Sequence, residues 1–227
     1  FKTGQVTFQD LLYIDLNPPG AQTNGATPPT GTQLGSGALI DSITGLFTQG
    51  ALVASTGRFD LAITGEGFFP VLLPDGTTGY TRAGNFVTDN TGQLVTPQGY
   101  RLAGDVVIPP NTASISVGPD GTVTAVNATG GTQVAGQVAL TRCVNPAGLS
   151  RFGDNVFTPT GASGAAVTGP PNTNGLGGVT NGSLEQSNVD LPNELINLIV
   201  AQQAFRFNTQ ALQVESQVLQ ATTDLIR

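Results

Sequence analysis

Residues Phe59 to Leu102 read FDLAITGEGFFPVLLPDGTTGYTRAGNFVTDNTGQLVTPQGYRL, and this stretch decides the fold. FDLAI alternates, with Phe59, Leu61 and Ile63 on one side, which predicts a half-buried strand. FFPVLL follows, and Pro74-Asp75-Gly76 closes it as a hairpin onto GYTRAG. Asn90-Thr91-Gly92 turns NFVTD into QLVT, and Pro97-Gln98-Gly99 turns that into YRLAG. SISV, Pro119-Asp120-Gly121 and TVTAV use the same device again. Gly130-Gly131 then opens TQVAGQVALTRC, which is predicted as one long strand. Turn signals at this density predict a β sandwich or rolled sheet over residues 57–182. Its last part, Ala162 to Gly182, is rich in Gly, Pro and Asn and reads as a loop leaving the domain.

Residues 1–56 differ in character. VTFQDLLYIDL is a short apolar phrase, and PPGAQTNGATPPTGTQLGSG after it is too rich in Pro, Gly and Thr for a helix. Two readings stand: a flexible linker, or an extended hairpin arm that orders against neighbours. Ser36 to Ser55 reads as strand-forming sequence with Gly breaks.

Residues 183–227 form the third region. From Asp190 to Arg227 the sequence predicts one long helix, with Asp190 as N-cap and Pro192 in the first turn, where its missing N–H costs nothing. Leu191, Leu198, Phe205, Leu212, Leu219 and Ile226 recur every seventh residue, which is coiled-coil spacing. Two further apolar rows, Val200, Phe207, Val214, Ala221 and Ala204, Ala211, Val218, Leu225, point elsewhere around the helix, so more than one partner is expected. Gln and Asn dominate the rest, where a surface helix normally shows charge. The predicted fold class is therefore mainly β with a long C-terminal α-helix: an outer β domain, an extended arm and a coiled-coil-type terminal helix.

Composition narrows the function. The 227 residues are 38% hydrophobic and only 10% charged, with 31 Gly and 15 Pro, and the net charge is −7. That much apolar content with so little charge reads as a turn-rich β fold rather than disorder. Eight Lys and Arg scattered singly supply no basic face for nucleic acid, so no nucleic-acid partner is expected. No apolar run is long enough to span a membrane as a helix. With no His and one Cys, triad catalysis and Cys/His zinc sites are excluded. No catalytic, metal or cofactor-binding residue is assigned. Cys143 reads as a buried or half-buried small apolar residue of a strand. A carboxylate pair drawn from Asp60, Glu66, Asp75 and Asp89 is the remaining enzymatic option, and most of these lie in or beside turns, where Asp bonds locally. Tyr80 and Tyr100 leave a carbohydrate-binding surface module as a further rival, although strand aromatics are more often core. Asn127-Ala-Thr129 and Asn181-Gly-Ser183 match glycosylation sequons that arise commonly by chance. The chain opens on Phe1-Lys2 without a Met or a cleavable signal segment, and a native segment upstream is expected.

Two long phrases carry a resemblance. Ile63, Gly65, Gly67, Phe68 and Phe69, then Tyr80, Thr81, Arg82, Gly84 and Phe86, then Gly92, Leu94, Val95, Gly99 and Tyr100 resemble the shared segment of bacterial flagellar rod and hook proteins. Leu184, Glu185, Ser187, Asn188 and Val189, with Glu194, Leu195, Ile199, Gln202, Gln203, Ala204, Phe205 and Asn208, resemble the same family's C-terminal helix. Pro19, Gly20, Ala21 and Gln22, with Gly31, Gln33, Leu34, Gly35 and Gly37, resemble an insert of its rod members rather than the hook. Pro70 departs from the pattern, breaking the usual strand after Phe69, and Pro192 departs inside the tail phrase. The resemblance implies a structural subunit, not an enzyme. It would stack with copies of itself into a straight helical tube in the basal body, crossing the periplasm, transmitting torque and enclosing an export channel. It implies export by the flagellar type III system, and proximal rod, hook and ring proteins as further partners. It also implies an upstream helix pairing with the C-terminal one, and a lateral-contact role for the arm through Pro19, Gly20, Ala21, Gln22, Gly31, Leu34 and Gly35.

Overall fold

The computed structural model describes residues 1–17, 31–104 and 106–225. The chain forms two compact units, Phe1–Asn188 and Val189–Arg227. The first is a β body and the second carries the helix Leu191–Leu225, so the predicted fold class holds.

The body is built on a seven-stranded antiparallel sheet. Its order is Ser150–Gly153, Val156–Thr158, Thr78–Thr81, Phe69–Leu72, Arg101–Leu102, Leu94–Val95, Val87–Thr88. The predicted turns make its central hairpins. At the first, Asp75 Oδ1 accepts the Thr77 N–H and hydroxyl at 2.9 and 2.6 Å; Asp89 does the same for Thr91 at 2.8 and 2.6 Å. These short loops fix the register that puts Phe69, Leu94 and Leu102 on the core side. Phe69 has no exposed surface and meets Phe86 edge-on, with ring centroids 5.2 Å apart. Pro70 lies inside the strand Phe69–Leu72 rather than breaking it, opposite Tyr80, and its carbonyl accepts the Ala103 N–H at 2.7 Å.

Three sequence expectations change. The strand Leu61–Thr64 is not half-buried, because Leu61, Ala62 and Ile63 are all buried and both of its faces are covered. The long strand predicted from Thr132 divides in two. Thr132–Gln137 joins the meander of Thr112–Val117 and Thr122–Asn127, whereas Leu140–Cys143 pairs with Ala166–Gly169. The break follows from Gly136, whose φ of +144° favours glycine, and from Val138, buried and donating its N–H to Gly121 O. Finally, Ala162 to Gly182 is not a plain loop. It holds the strands Ala166–Gly169 and Gly178–Asn181, and the latter pairs with Leu61–Thr64. Its Asn and Gly residues form the turn between them, where Asn172, Asn174 and Gly175 take positive φ.

Residues 1–17 and 31–45 carry a two-stranded ribbon. Gly4–Asp10 pairs with Ala38–Gly45, and Tyr13–Asn17 pairs with Thr32–Gly35. The arm is therefore a hairpin in its described part, not a linker.

Candidate assembly surfaces

The described helix residues are exposed almost throughout. Leu191, Leu198, Phe205, Leu212 and Leu219 retain 53% to 70% of their accessible surface. Ile226 lies outside the described residues. The helix begins where the sequence expects: Glu194 N–H donates to Asp190 O at 3.0 Å, and the Asp190 carboxylate accepts from Asn193 Nδ2 at 2.6 Å. At about 1.5 Å per residue its 35 residues run about 52 Å. Val200, Phe207 and Val214 are as exposed as the first row. Phe205 and Phe207, two residues apart, point about 200° apart around the axis.

The ribbon is two-faced. Val6 lies opposite Ile43, and Phe8 opposite Ile40, so four large apolar side chains share one exposed face. The other face is mostly polar, with Thr7 and Ser42 hydroxyls 2.8 Å apart, and carries Leu39 opposite Gln9. Farther out, Ile14 faces Leu34, both exposed. Tyr13 lies across Gly35, where a Cβ would stand 3.0 Å from the ring, so Gly35 makes room for the tyrosine. Gly31 is exposed, and Pro19, Gly20, Ala21 and Gln22 lie outside the described residues. A two-stranded ribbon is marginal alone in water, and an apolar face of this kind marks a contact surface.

A third feature was not read as a site in the sequence. The Glu185 carboxylate, 2% exposed, is shared between Lys2 Nζ at 2.5 Å and Arg82 Nη1 at 3.0 Å. It also accepts the Gly50 N–H at 2.9 Å. Burial raises its pKa, but the Lys2 bond, the Gly50 N–H and Arg82 outweigh this and hold it below the ordinary value of 4.5. Lys2 Nζ donates further to Thr48 O at 2.7 Å, and Arg82 Nη2 to Gly65 O at 2.8 Å. Three residues on, Asn188 Oδ1 accepts the Thr3 N–H at 3.0 Å, while its Nδ2 donates to Leu46 O and Thr48 Oγ1 at 2.9 Å each. The only signal was that Arg82, Glu185 and Asn188 fall in the two resembling phrases.

The carboxylates weighed for catalysis are engaged separately. Asp60 accepts from the Ser55 hydroxyl, and Glu66 pairs with Arg142 at 2.7 Å. Bonds from Thr77 and Thr91 hold Asp75 and Asp89 below the usual carboxylate range, so neither is kept protonated as a general acid. Cys143 is buried beside Phe68, Tyr80 and Phe157, and burial pushes its thiol pKa up, the opposite of activation. Among the described residues no group of His, Cys, Asp and Glu could hold a metal ion, and no helix is long and apolar enough to cross a membrane.

Exposed apolar faces on the helix and on the ribbon, and no catalytic grouping among the described residues, have the character of a structural subunit. Comparison with known proteins agrees. Residues 62–125 match the family described as the flagellar hook protein FlgE/F/G D1 domain, and residues 180–225 match the flagellar basal body rod FlgEFG protein C-terminal family. The flagellar basal-body rod protein FlgG of Caulobacter vibrioides is 40% identical over 99% of this chain and 87% of its own length. The FlgG of Buchnera aphidicola subsp. Schizaphis graminum is 39% identical over the same shares. The flagellar hook protein FlgE of Escherichia coli is 39% identical, but over 62% of this chain and 34% of its own length. The chain belongs to the flagellar rod and hook protein family, as a structural subunit of the basal-body rod, and it is not an enzyme.

Proposed function

We propose that this chain builds the distal rod, stacking with copies of itself into a straight helical tube that carries torque to the hook and encloses part of the export channel. In this reading residues 183–227 supply the core helix, residues 57–182 the outer domain, and residues 1–56 the inner connection with its arm. Leu191, Leu198, Phe205, Leu212, Leu219 and Ile226 pack against neighbouring helices. Pro19, Gly20, Ala21, Gln22, Gly31, Leu34 and Gly35 make lateral contacts. Proximal rod proteins, the hook and the surrounding rings are the other partners, and the flagellar type III system delivers the subunit to a rod crossing the periplasm.

One observation carries the reading: five large apolar side chains at seven-residue spacing, each more than half exposed on the helix. Burying one Leu or Phe is worth about 1.5–3 kcal/mol, so the row favours association strongly. The test is electron microscopy of the concentrated protein beside the triple variant Leu198→Ala/Phe205→Ala/Leu212→Ala. Straight tubes from the native chain and none from the variant are expected. Equal tube formation by both overturns the role given to the helix.

A further inference from the structure

Glu185 gathers chain segments that lie far apart in sequence. Lys2, Gly50 and Arg82 all bond its carboxylate, and Asn188 adds Thr3, Leu46 and Thr48. These bonds bracket residues 185–188, and the helix begins at Leu191. The strand Ser183–Glu185, paired with Leu52–Ala54, and the Gln186 N–H bond to Ala51 O tie the same segment. Gly50 runs so close that a Cβ there would stand 2.0 Å from Gln186 O.

Stability alone gives little reason for a buried carboxylate between two cations. Desolvation offsets most of the attraction, and well-packed apolar groups often do as well. What the arrangement adds is direction: a carboxylate holds its donors at set angles, and Asn188 repeats this with three more bonds.

We propose that Glu185, seconded by Asn188, is a positioning residue: it fixes the path by which the chain leaves the β body for the helix. Force on the helix then reaches the body through Lys2, Gly50 and Arg82, and not through a short strand alone. The force-bearing part of this inference rests on the rod reading above.

The experiment compares full-length native chain with Glu185→Gln by amide hydrogen exchange, and tests both for motility in a bacterium deleted for its own copy of the rod gene. In the variant the Gly50 amide is expected to exchange about 10- to 100-fold faster, matching loss of its charged acceptor, and the Thr3 amide, held by Asn188 Oδ1, to exchange faster as the segment loosens. Amides of Leu61–Thr64 and Phe69–Leu72 keep their protection, and motility is lost at unchanged protein level. Unaltered exchange at Thr3 and Gly50 overturns the proposal, as does faster exchange there with motility intact. If the variant loosens the whole body, Asn188→Ala takes its place, since it removes three bonds without stranding a charge. Faster Thr3 exchange with lost motility then supports positioning, and intact motility overturns it. If the native chain itself fails to restore motility, the rod reading fails, and the exchange comparison alone decides the positioning role.

Discussion

Replacing Gly84 with Ala is expected to destabilise the body more than its one added methyl suggests. Gly84 belongs to the phrase Tyr80-Thr81-Arg82-Ala83-Gly84, and its backbone lies against Leu61. A Cβ built there would stand 1.6 Å from Leu61 O and 2.7 Å from the carbonyl carbon. An ordinary C···O contact is about 3.3 Å, so the two backbones must part by about 1.7 Å. That breaks the Leu61 N–H to Gly84 O bond of 3.0 Å and strands a donor at a residue 1% exposed. An unsatisfied buried N–H costs about 1–3 kcal/mol, and displacing a well-packed strand adds about as much again. The sum is about 2–6 kcal/mol, a large share of a domain's usual stability of about 5–15 kcal/mol. Urea unfolding followed by circular dichroism measures it, since the chain has no Trp to report by fluorescence. Gly161→Ala is the control, because a Cβ there meets nothing within 4 Å and its φ is not in the left-handed region. It is expected within about 0.5 kcal/mol of the native chain. If Gly84→Ala falls in the same band, the close approach carries no energetic weight and the reasoning is wrong.

Three further outcomes are expected. Phe69→Ala removes a fully buried ring from the main core and its edge contact with Phe86, and thermal unfolding should show a loss of about 3–5 kcal/mol. Glu185 ionises more readily in the folded chain than in the unfolded one, so it stabilises above its ordinary value of 4.5, and that contribution is lost as pH falls through the lower folded value. The difference in urea midpoint between native and Glu185→Gln protein should therefore be steady near neutrality and shrink at acid pH; a difference independent of pH contradicts the assignment. Cys143, 1% exposed with a raised thiol pKa, should react with a thiol reagent only as the body unfolds, at a rate that follows denaturant concentration; rapid labelling of folded protein refutes its placement.

The sequence made legible what is local. Pro74-Asp75-Gly76, Asn90-Thr91-Gly92 and Pro97-Gln98-Gly99 each close an observed hairpin, because turn chemistry acts over three or four residues. The helix was legible because its spacing persists without Gly or Pro after its first turn. What failed depended on distant partners. Nothing in TQVAGQVALTRC announces that its second half pairs with Ala166–Gly169. Ala62 looked solvent-facing because alternation cannot reveal a second covering layer. The Glu185 centre unites Lys2, Gly50, Arg82 and Glu185, which span almost the whole chain, and a lone Glu in a turn-rich stretch carries no periodic signal.

The geometry of the helix constrains the kind of assembly that can satisfy it. The row through Leu198, Phe205 and Leu212 drifts about 20° per heptad, as a left-handed supercoil requires. The row through Val200, Phe207 and Val214 faces roughly the other way and is equally exposed. A closed pair of chains related by a twofold axis covers the same face of each helix and leaves the other row in water. Each Leu, Phe or Val left wet forgoes about 1.5–3 kcal/mol. Burial of both rows in every copy requires two different neighbours per helix. Where both neighbours are other copies of the chain, contacts that use two different faces are heterologous, and they either close into a ring or continue as a helix of subunits. Gln202, Gln203, Gln210, Gln213 and Gln217 suit the space between the rows, since they hydrogen-bond to neighbours without the cost of burying charge. A helix with charge around its circumference could not be enclosed on two sides in this way, and the scarcity of charge in this one suits the proposed assembly.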